Sequence, residues 1–302
     1  MKKVKTVIVF LLLCCFHSKI YSQFARSRYY YSYYNPFRVE VGAGVGSMNC
    51  ITDVGGANGD NAHYINELRL KNFKSDLSVY AGVTYNDFLG ARLQATWGRI
   101  RSADIDIKPT TENAKSRQIR NLSFRSNIYE ASFLLQFHPL MLLDAETHSF
   151  LLDPYAIGGV GVFSFNPQTW YKENWVNLHP LHTEGEGFPE YKSVSNYKLT
   201  QINVSVGVGV RYSLSSRVNL RLEYIHRILF TDYLDDVSSR KFVKPAAFDK
   251  NLSPDLAADA KALYNRSKDV RISVRRGNPN NNDTYMSLSI KIGFILSRDF
   301  RP

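Results

Sequence analysis

Three sets of residues in this chain have types and spacings that could do chemistry. Asp232, Asp235 and Asp236 crowd one short stretch, TDYLDDVS at 231–238. Clustered carboxylates suit a hard cation such as calcium. The stretch lacks the alternating ligand positions and the glycine of an EF-hand loop. Short Asp side chains more often cap turns or pair with neighbouring cations, here Arg227, Arg240 or Lys241. His179 and His182, at i and i+3 with Glu184 close by, have metal-ligand types but no third firm ligand. The third set is spread through strand-like segments: Arg38, Glu40, Arg92, Glu130, Arg211, Arg221, Glu223 and Lys291. Such charges line a pore or pair inside a narrow barrel. No nucleophile elbow, phosphate loop or HExxH pattern occurs, so neither an enzyme, a metal nor a cofactor is expected.

The elements that must position these residues alternate with a period of two. In VNLRLEYIHRIL, Val218, Leu220, Leu222 and Tyr224 face one way and Asn219, Arg221 and Glu223 the other. Polar residues on one face and apolar ones on the other fit a strand between lipid and a polar lumen. The format recurs. Phe37 to Val45 sets valines against Arg38, Glu40, Gly42 and Gly44, with Gly46 next on the same face, and Leu77 to Tyr85 and Leu89 to Trp97 pair across an Asn86-Asp87 turn. Further strands are predicted at Glu130 to Phe137, Tyr155 to Phe165, Ile202 to Tyr212 and Met286 to Phe294. Leu122, Phe124 and Ile128 fall on the parity opposite to Ala131, Phe133 and Leu135, which predicts a bulge or a late strand start near Ile128. Glycines 158, 159 and 161 leave the facing of the fifth strand open. Leu93, Val206 and Ile290 are predicted to face lipid, and arginine at Ser205 or Ser289 should be tolerated better than at those sites.

Eight strands follow, joined by connections that alternate between long (46–75, 101–120, 166–198, 231–283) and shorter (86–88, 138–149, 213–216). Outer-membrane barrels have this asymmetry, with short turns in the periplasm. A soluble eight-stranded barrel has the alternation but not the charged inner faces. Within the longest loop, Ser253 and Pro254 read as the N-cap and first residue of a helix reaching Asn265.

Residues 1–22 read as an export signal, with Lys2, Lys3 and Lys5 ahead of an apolar run from Val7 to Phe16. Loss of those three lysines and Lys19 takes the net charge from +11 to +7. Cys50 is then the one cysteine left, which excludes an intrachain disulfide. No later run is long enough for a membrane helix. Aromatic residues are 13% of the chain, and Tyr29 to Tyr34 could contribute an interfacial girdle. Export makes nucleic acid an unsuitable partner; outer-membrane lipid is the expected one.

Four segments carry a family resemblance: RNLSFRSNIYE (120–130), PYAIGGVGVFSFNP (154–167), LHPLHTEGEGFPEY (178–191) and TDYLDDVS (231–238). Together they resemble the PorG family, outer-membrane barrel components of the Bacteroidota type IX secretion system. The specific part is Pro180, Leu181, Thr183, Glu184 and Gly185 with Thr231, Asp232, Tyr233, Leu234, Asp235 and Asp236. The resemblance implies an all-β, eight-stranded antiparallel transmembrane barrel over 37–302, behind a Tyr-rich segment at 23–36. It implies a non-catalytic part of the secretion and gliding machinery that anchors a periplasmic ring of a lipoprotein and its partner. Leu140, Met141, Leu142 and Leu143, an apolar cluster in a short-side connection, are the expected ring contact or a plug of the lower mouth. A small pore and a lipid-modifying enzyme are the rival readings.

Overall fold

Strand alternation closes on itself. The computed structural model describes residues 36–55, 72–107, 111–143, 152–194, 196–239, 241–267 and 276–296. The expected export signal at 1–22, Tyr29 to Tyr34, His148 and the tail 297–302 lie outside them. The barrel strands are β1 (Phe37–Ile51), β2 (Lys74–Tyr85), β3 (Leu89–Ala103), β4 (Ser123–Phe137), β5 (Leu152–Ser164), β8 (Thr200–Ser213), β9 (Val218–Leu229) and β10 (Thr284–Ile295). A small hairpin, β6 (Gln168–Tyr171) with β7 (Asn174–Asn177), hangs from β4 through Arg125 and Gln168. Each barrel strand pairs antiparallel with its neighbours, β1 with β10, and the β3–β4 ladder completes an eight-stranded cylinder. Closure leaves no unpaired edge, which a spanning sheet requires in lipid.

The predicted faces hold. Leu93, Val206, Leu222 and Ile290 are exposed on the outer wall, while Arg92, Ser205, Arg221 and Ser289 are buried inside. An aromatic ring of Phe37, Tyr85, Phe137, Tyr212 and Phe294 rims the short-turn end, and Trp97, Tyr129 and Phe230 stand toward the other. An apolar belt between aromatic girdles is the signature of a lipid-embedded barrel, and the protein is an outer-membrane barrel on this evidence. Asn86 and Asp87 both take positive φ, as the two central residues of a type I′ turn need, and the Phe88 amide closes that turn on the Tyr85 carbonyl. The lumen is narrow: a Cβ at Gly42 would overlap the Tyr80 ring, and one at Gly209 the Tyr155 ring.

Several expectations need correction. β1 runs on to Ile51, so the first loop starts later than residue 46. β4 has no bulge; its register with β3 is unbroken from Ser123 to Phe137, and Phe124 and Ile128 point inward. The physical reason is length. Strands of 15 residues exceed the roughly 9–11 needed to cross a bilayer. Their upper turns stand clear of lipid, and there the inward face packs an apolar core instead of a polar lumen. In β5 the inward residues are Asp153, Tyr155, Ile157 and Phe163, which settles its facing.

The long connections form a structured cap over that upper core. Helix α1 (Glu112–Arg120) is capped by Thr111, whose hydroxyl accepts from the Ala114 amide. A short turn α2 (Leu140–Leu143) lies at the opposite, short-turn end. Two helices occupy the longest loop, α3 (Pro245–Asn251) and α4 (Pro254–Leu263). Of these, the sequence predicts α4 alone, and the Ser253 side chain makes no capping bond although it occupies the N-cap position. The cap core gathers Leu181, Phe188, Leu234, Val237, Phe248 and Leu263 onto Ile100, Phe124, Ile128 and Phe163 from the strands.

Candidate functional site

Two polar assemblies hold the chemistry-bearing residues. The first fills the lumen. Glu223 on β9 sits at its centre with no exposure, accepting both Arg92 Nη1 and Nη2 at 2.6 Å, Tyr155 OH at 2.6 Å and Lys291 Nζ at 2.8 Å. Toward the short-turn end, Glu40 receives Arg221 at 2.8 Å, Tyr80 OH at 2.6 Å and Asn219 Nδ2 at 2.7 Å. Toward the cap, Glu130 pairs with Arg227 at 3.1 Å and accepts from Asn203 at 3.1 Å. The lower mouth is closed by Asp153, which binds His138 Nδ1 at 2.6 Å and Arg211 at 2.7 Å. Arg38 pairs with Asp87 at the rim.

The alternating pattern put these groups inside, and a narrow cylinder forces them together. Buried ions must be paired and hydrogen-bonded to be tolerated. Tyr80 and Tyr155 complete the fill; Arg221 lies 5.7 Å and 5.5 Å from their ring centres. The rows of charges that could have lined a pore are instead one packed network.

The second assembly lies in the cap, and it joins the two family-signature segments. Thr183 Oγ1 donates to Asp236 at 2.6 Å, and Tyr197 OH donates to the same carboxylate at 2.6 Å. Glu184 accepts from the Ser238 and Ser239 amides at 3.1 Å and 2.7 Å, and from Arg276 Nε at 2.9 Å. Arg276 also donates to Thr183 Oγ1 at 2.6 Å. Asp235 caps the backbone, accepting from Val54 N at 2.7 Å and Val237 N at 3.0 Å. Pro180 and Leu181 form a tight turn with Leu181 buried, and Gly185 takes φ +76, where a Cβ would meet the Tyr191 ring. Thr231 accepts from the Tyr233 amide, Tyr233 stacks on Tyr197 at 4.7 Å, and the Leu234 amide donates to Asp283.

Asp235 therefore caps turns, as expected, whereas Asp236 takes two side-chain hydroxyls; of the cations expected for the cluster, Arg240 lies outside the described residues. Arg227 belongs to Glu130 in the lumen, and Arg120 and Arg276 serve the cap; Arg120 binds Asp104 through Nε at 2.8 Å and Nη2 at 2.8 Å. Burial is the main force on the acids. It pushes Asp232 up to about 9 and Asp235 up to about 8, helped in both by the charge of Asp53. Burial likewise raises Asp236 to about 6 and lifts Asp283 and Glu186 well above the carboxylate range.

His179 and His182 do not converge on a ligand. His179 Nε2 meets the Tyr197 carbonyl at 3.0 Å, and the rings lie 6.2 Å apart. Among the described residues no three of His, Cys, Asp and Glu are placed to hold a metal. His226 is half-buried on the Tyr224 side of β9. At the short-turn end, Met141 is buried and Leu140 half-buried, while the side chains of Leu142 and Leu143 lie outside the described residues. Sequence reasoning missed Asp53, Asp104, Asp283, Arg120 and Arg276. Each is an isolated charge in a polar loop or at a helix end, which carries no periodic signal.

Among solved structures the chain is similar to Ail, the attachment invasion locus protein of Yersinia pestis, with 6% identity and a TM-score of 0.40 over 87% of this chain and 100% of that one. It is also similar to Neisserial surface protein A, with 12% identity and a TM-score of 0.35 over 87% and 98% of the two chains. A major outer membrane protein of Thermus thermophilus gives 13% identity and a TM-score of 0.37 over 87% and 100%. No curated protein matches the sequence. A family model matches residues 31–252, and the chain belongs to that family, described as a domain of unknown function, DUF6089.

Proposed function

We propose that this barrel is a non-catalytic anchor in the type IX secretion and gliding machinery, organising a periplasmic ring of a lipoprotein and its partner. The observation that carries the anchoring reading is the filled lumen. Arg92, Arg221, Glu223, Arg227 and Lys291 are all buried in mutual contacts, which leaves the two ends of the cylinder as working surfaces. The secretion-system reading rests on the resemblance carried by 180–185 and 231–236, whose residues meet in one buried knot. That knot is enclosed by the cap, so those segments act as structure, and partner contact falls to the periplasmic end.

The test is affinity capture from native membranes in mild detergent, with a tag at the exposed Lys172–Glu173 turn. Ring components should co-purify with the barrel. Leu140→Asp should lower their recovery several-fold while the barrel still folds, and Asp235→Asn should leave recovery unchanged. Met141 is buried, so Met141→Ser reports on packing at the lower mouth. Capture without ring components, or loss with the Asp235 variant alone, rejects the reading.

A further inference from the structure

One ladder on the outer wall carries a pattern that the lumen and cap do not explain. Outward pairs on β3 and β4 run, from mid-bilayer toward the long-loop end, Leu93 with Phe133, Ala95 with Ala131, Trp97 with Tyr129, Arg99 with Asn127, and Arg101 with Arg125. The small pair floors an open apolar hollow of about 1010 Å³, whose walls include Val79, Phe133, Val162 and Ile202. The aromatic pair marks the interface, with Trp97 and Tyr129 both exposed. Same-face rungs are spaced by two residues, roughly 7 Å, so the arginines begin about 7 Å above that pair and end about 14 Å above it. That is headgroup depth.

The arginines face outward and most lack counter-ions. Arg99 donates to Asn127 Oδ1 at 2.8 Å, and Arg125 to Gln168 Oε1 at 3.2 Å, both neutral acceptors. Arg101 has Asp106 at 3.7 Å, the one carboxylate within ion-pair range of the three among the described residues. The Trp175 ring holds Arg125 in place, 3.4 Å from its guanidinium carbon, and Trp175 itself packs edge-on against Trp170 at 5.2 Å. A preorganised arginine fork binds phosphate oxygens bidentately. An apolar hollow below an aromatic collar below three guanidinium groups matches an acyl chain, a glycerol or sugar level and a phosphate, in that order. We propose that the β3–β4 wall binds a phosphorylated saccharolipid of the outer leaflet, its phosphate on Arg99, Arg101 and Arg125 and an acyl chain in the hollow floored by Ala95 and Ala131. The long-loop end faces the outer leaflet, which commits the site to that lipid and not to one of the inner leaflet.

Native mass spectrometry of the full purified chain tests this, with diphosphoryl lipid A and its phosphatase-treated, phosphate-free product as probes. Wild type should retain one diphosphoryl molecule at a concentration at least tenfold lower than it needs for the phosphate-free lipid. Arg99→Gln/Arg101→Gln/Arg125→Gln should abolish that preference, and each single change should reduce it. Ala95→Phe should weaken both lipids alike by filling the hollow. Heat-modifiable migration confirms the barrel in every variant. If the triple variant does not fold, the singles decide. Equal retention of the two lipids by wild type overturns the proposal. So does a full preference in the folded triple variant, or in all three singles.

Discussion

Glu223 shows how a charge becomes structural. It is fully buried and balances Arg92 and Lys291 at once. Removing one partner of a buried ion pair strands the others and typically costs about 3–5 kcal/mol. Glu223→Gln should lower the urea midpoint of the heat-modifiable barrel accordingly, while Ser289→Ala, which strands no charge, should leave it nearly unchanged. The cap acids act in the opposite electrostatic sense. Burial raises the folded pKa of Asp235 to about 8 and Asp232 to about 9, above the roughly 4 of an unfolded aspartate. Their contribution to cap stability is then fully present below about pH 4 and is lost as pH rises through 8 and 9. Hydrogen exchange at the Val54, Leu234 and Val237 amides, corrected for intrinsic rate, should therefore accelerate between pH 7 and 9.5. Asp232→Asn should remove the upper part of that rise. A flat corrected profile would contradict the assignment. The acids at 232, 235 and 236 were visible as a cluster in the sequence. Their neighbours Asp53 and Asp283 were not, because loops far apart in the chain bring them together.

At the scale of elements, the period of two was enough to place the lipid-facing and lumen-facing sides of most strands. It failed in two places for physical reasons. In β4, inward apolar residues look like a parity break, because the alternation assumes one polar lumen throughout, whereas the upper inward face packs a core. In β5, glycines carry no side chain by which to read a face. The cap helices α1 and α3 were missed because short helices in polar loops have few apolar positions. Val206→Arg at mid-strand should cost about 2–4 kcal/mol of folding stability if it meets lipid at the bilayer centre, measured as loss of the heat-resistant band in vesicles. Arginine at Ser205 or Ser289 was expected to be milder. Both serines are buried in the packed lumen, Ser205 opposite Arg227 and Ser289 opposite Glu223, so an arginine at either site also meets overpacking.

For the whole molecule, the filled cylinder predicts electrical silence. Purified protein in planar bilayers should give no steady unitary conductance, and reproducible steps would revive the pore. Much of this architecture was readable in advance, because strand number, loop asymmetry and outward faces follow from patterns repeated along the chain. The closed lower mouth was not. His138, Asp153 and Arg211 lie in or beside connections, and only closure of the β5–β8 ladder brings Asp153 and Arg211 face to face.

The position of the cap acids also bears on how the cylinder closes. Asp53 follows β1 and Asp283 precedes β10, so they flank the seam where the first and last strands of the barrel meet. Asp53 receives the Asn278 amide and Asp283 the Leu234 amide, while Asp235 receives that of Val54. These bonds tie both sides of the seam to the segment after β9. The Asp53–Asn278 and Val54–Asp235 bonds cross the seam, so a chain still open there holds β1 away from β10 and cannot make those two. Those two cap bonds exist only where the first and last strands meet, so they add to the ladder that holds the cylinder closed.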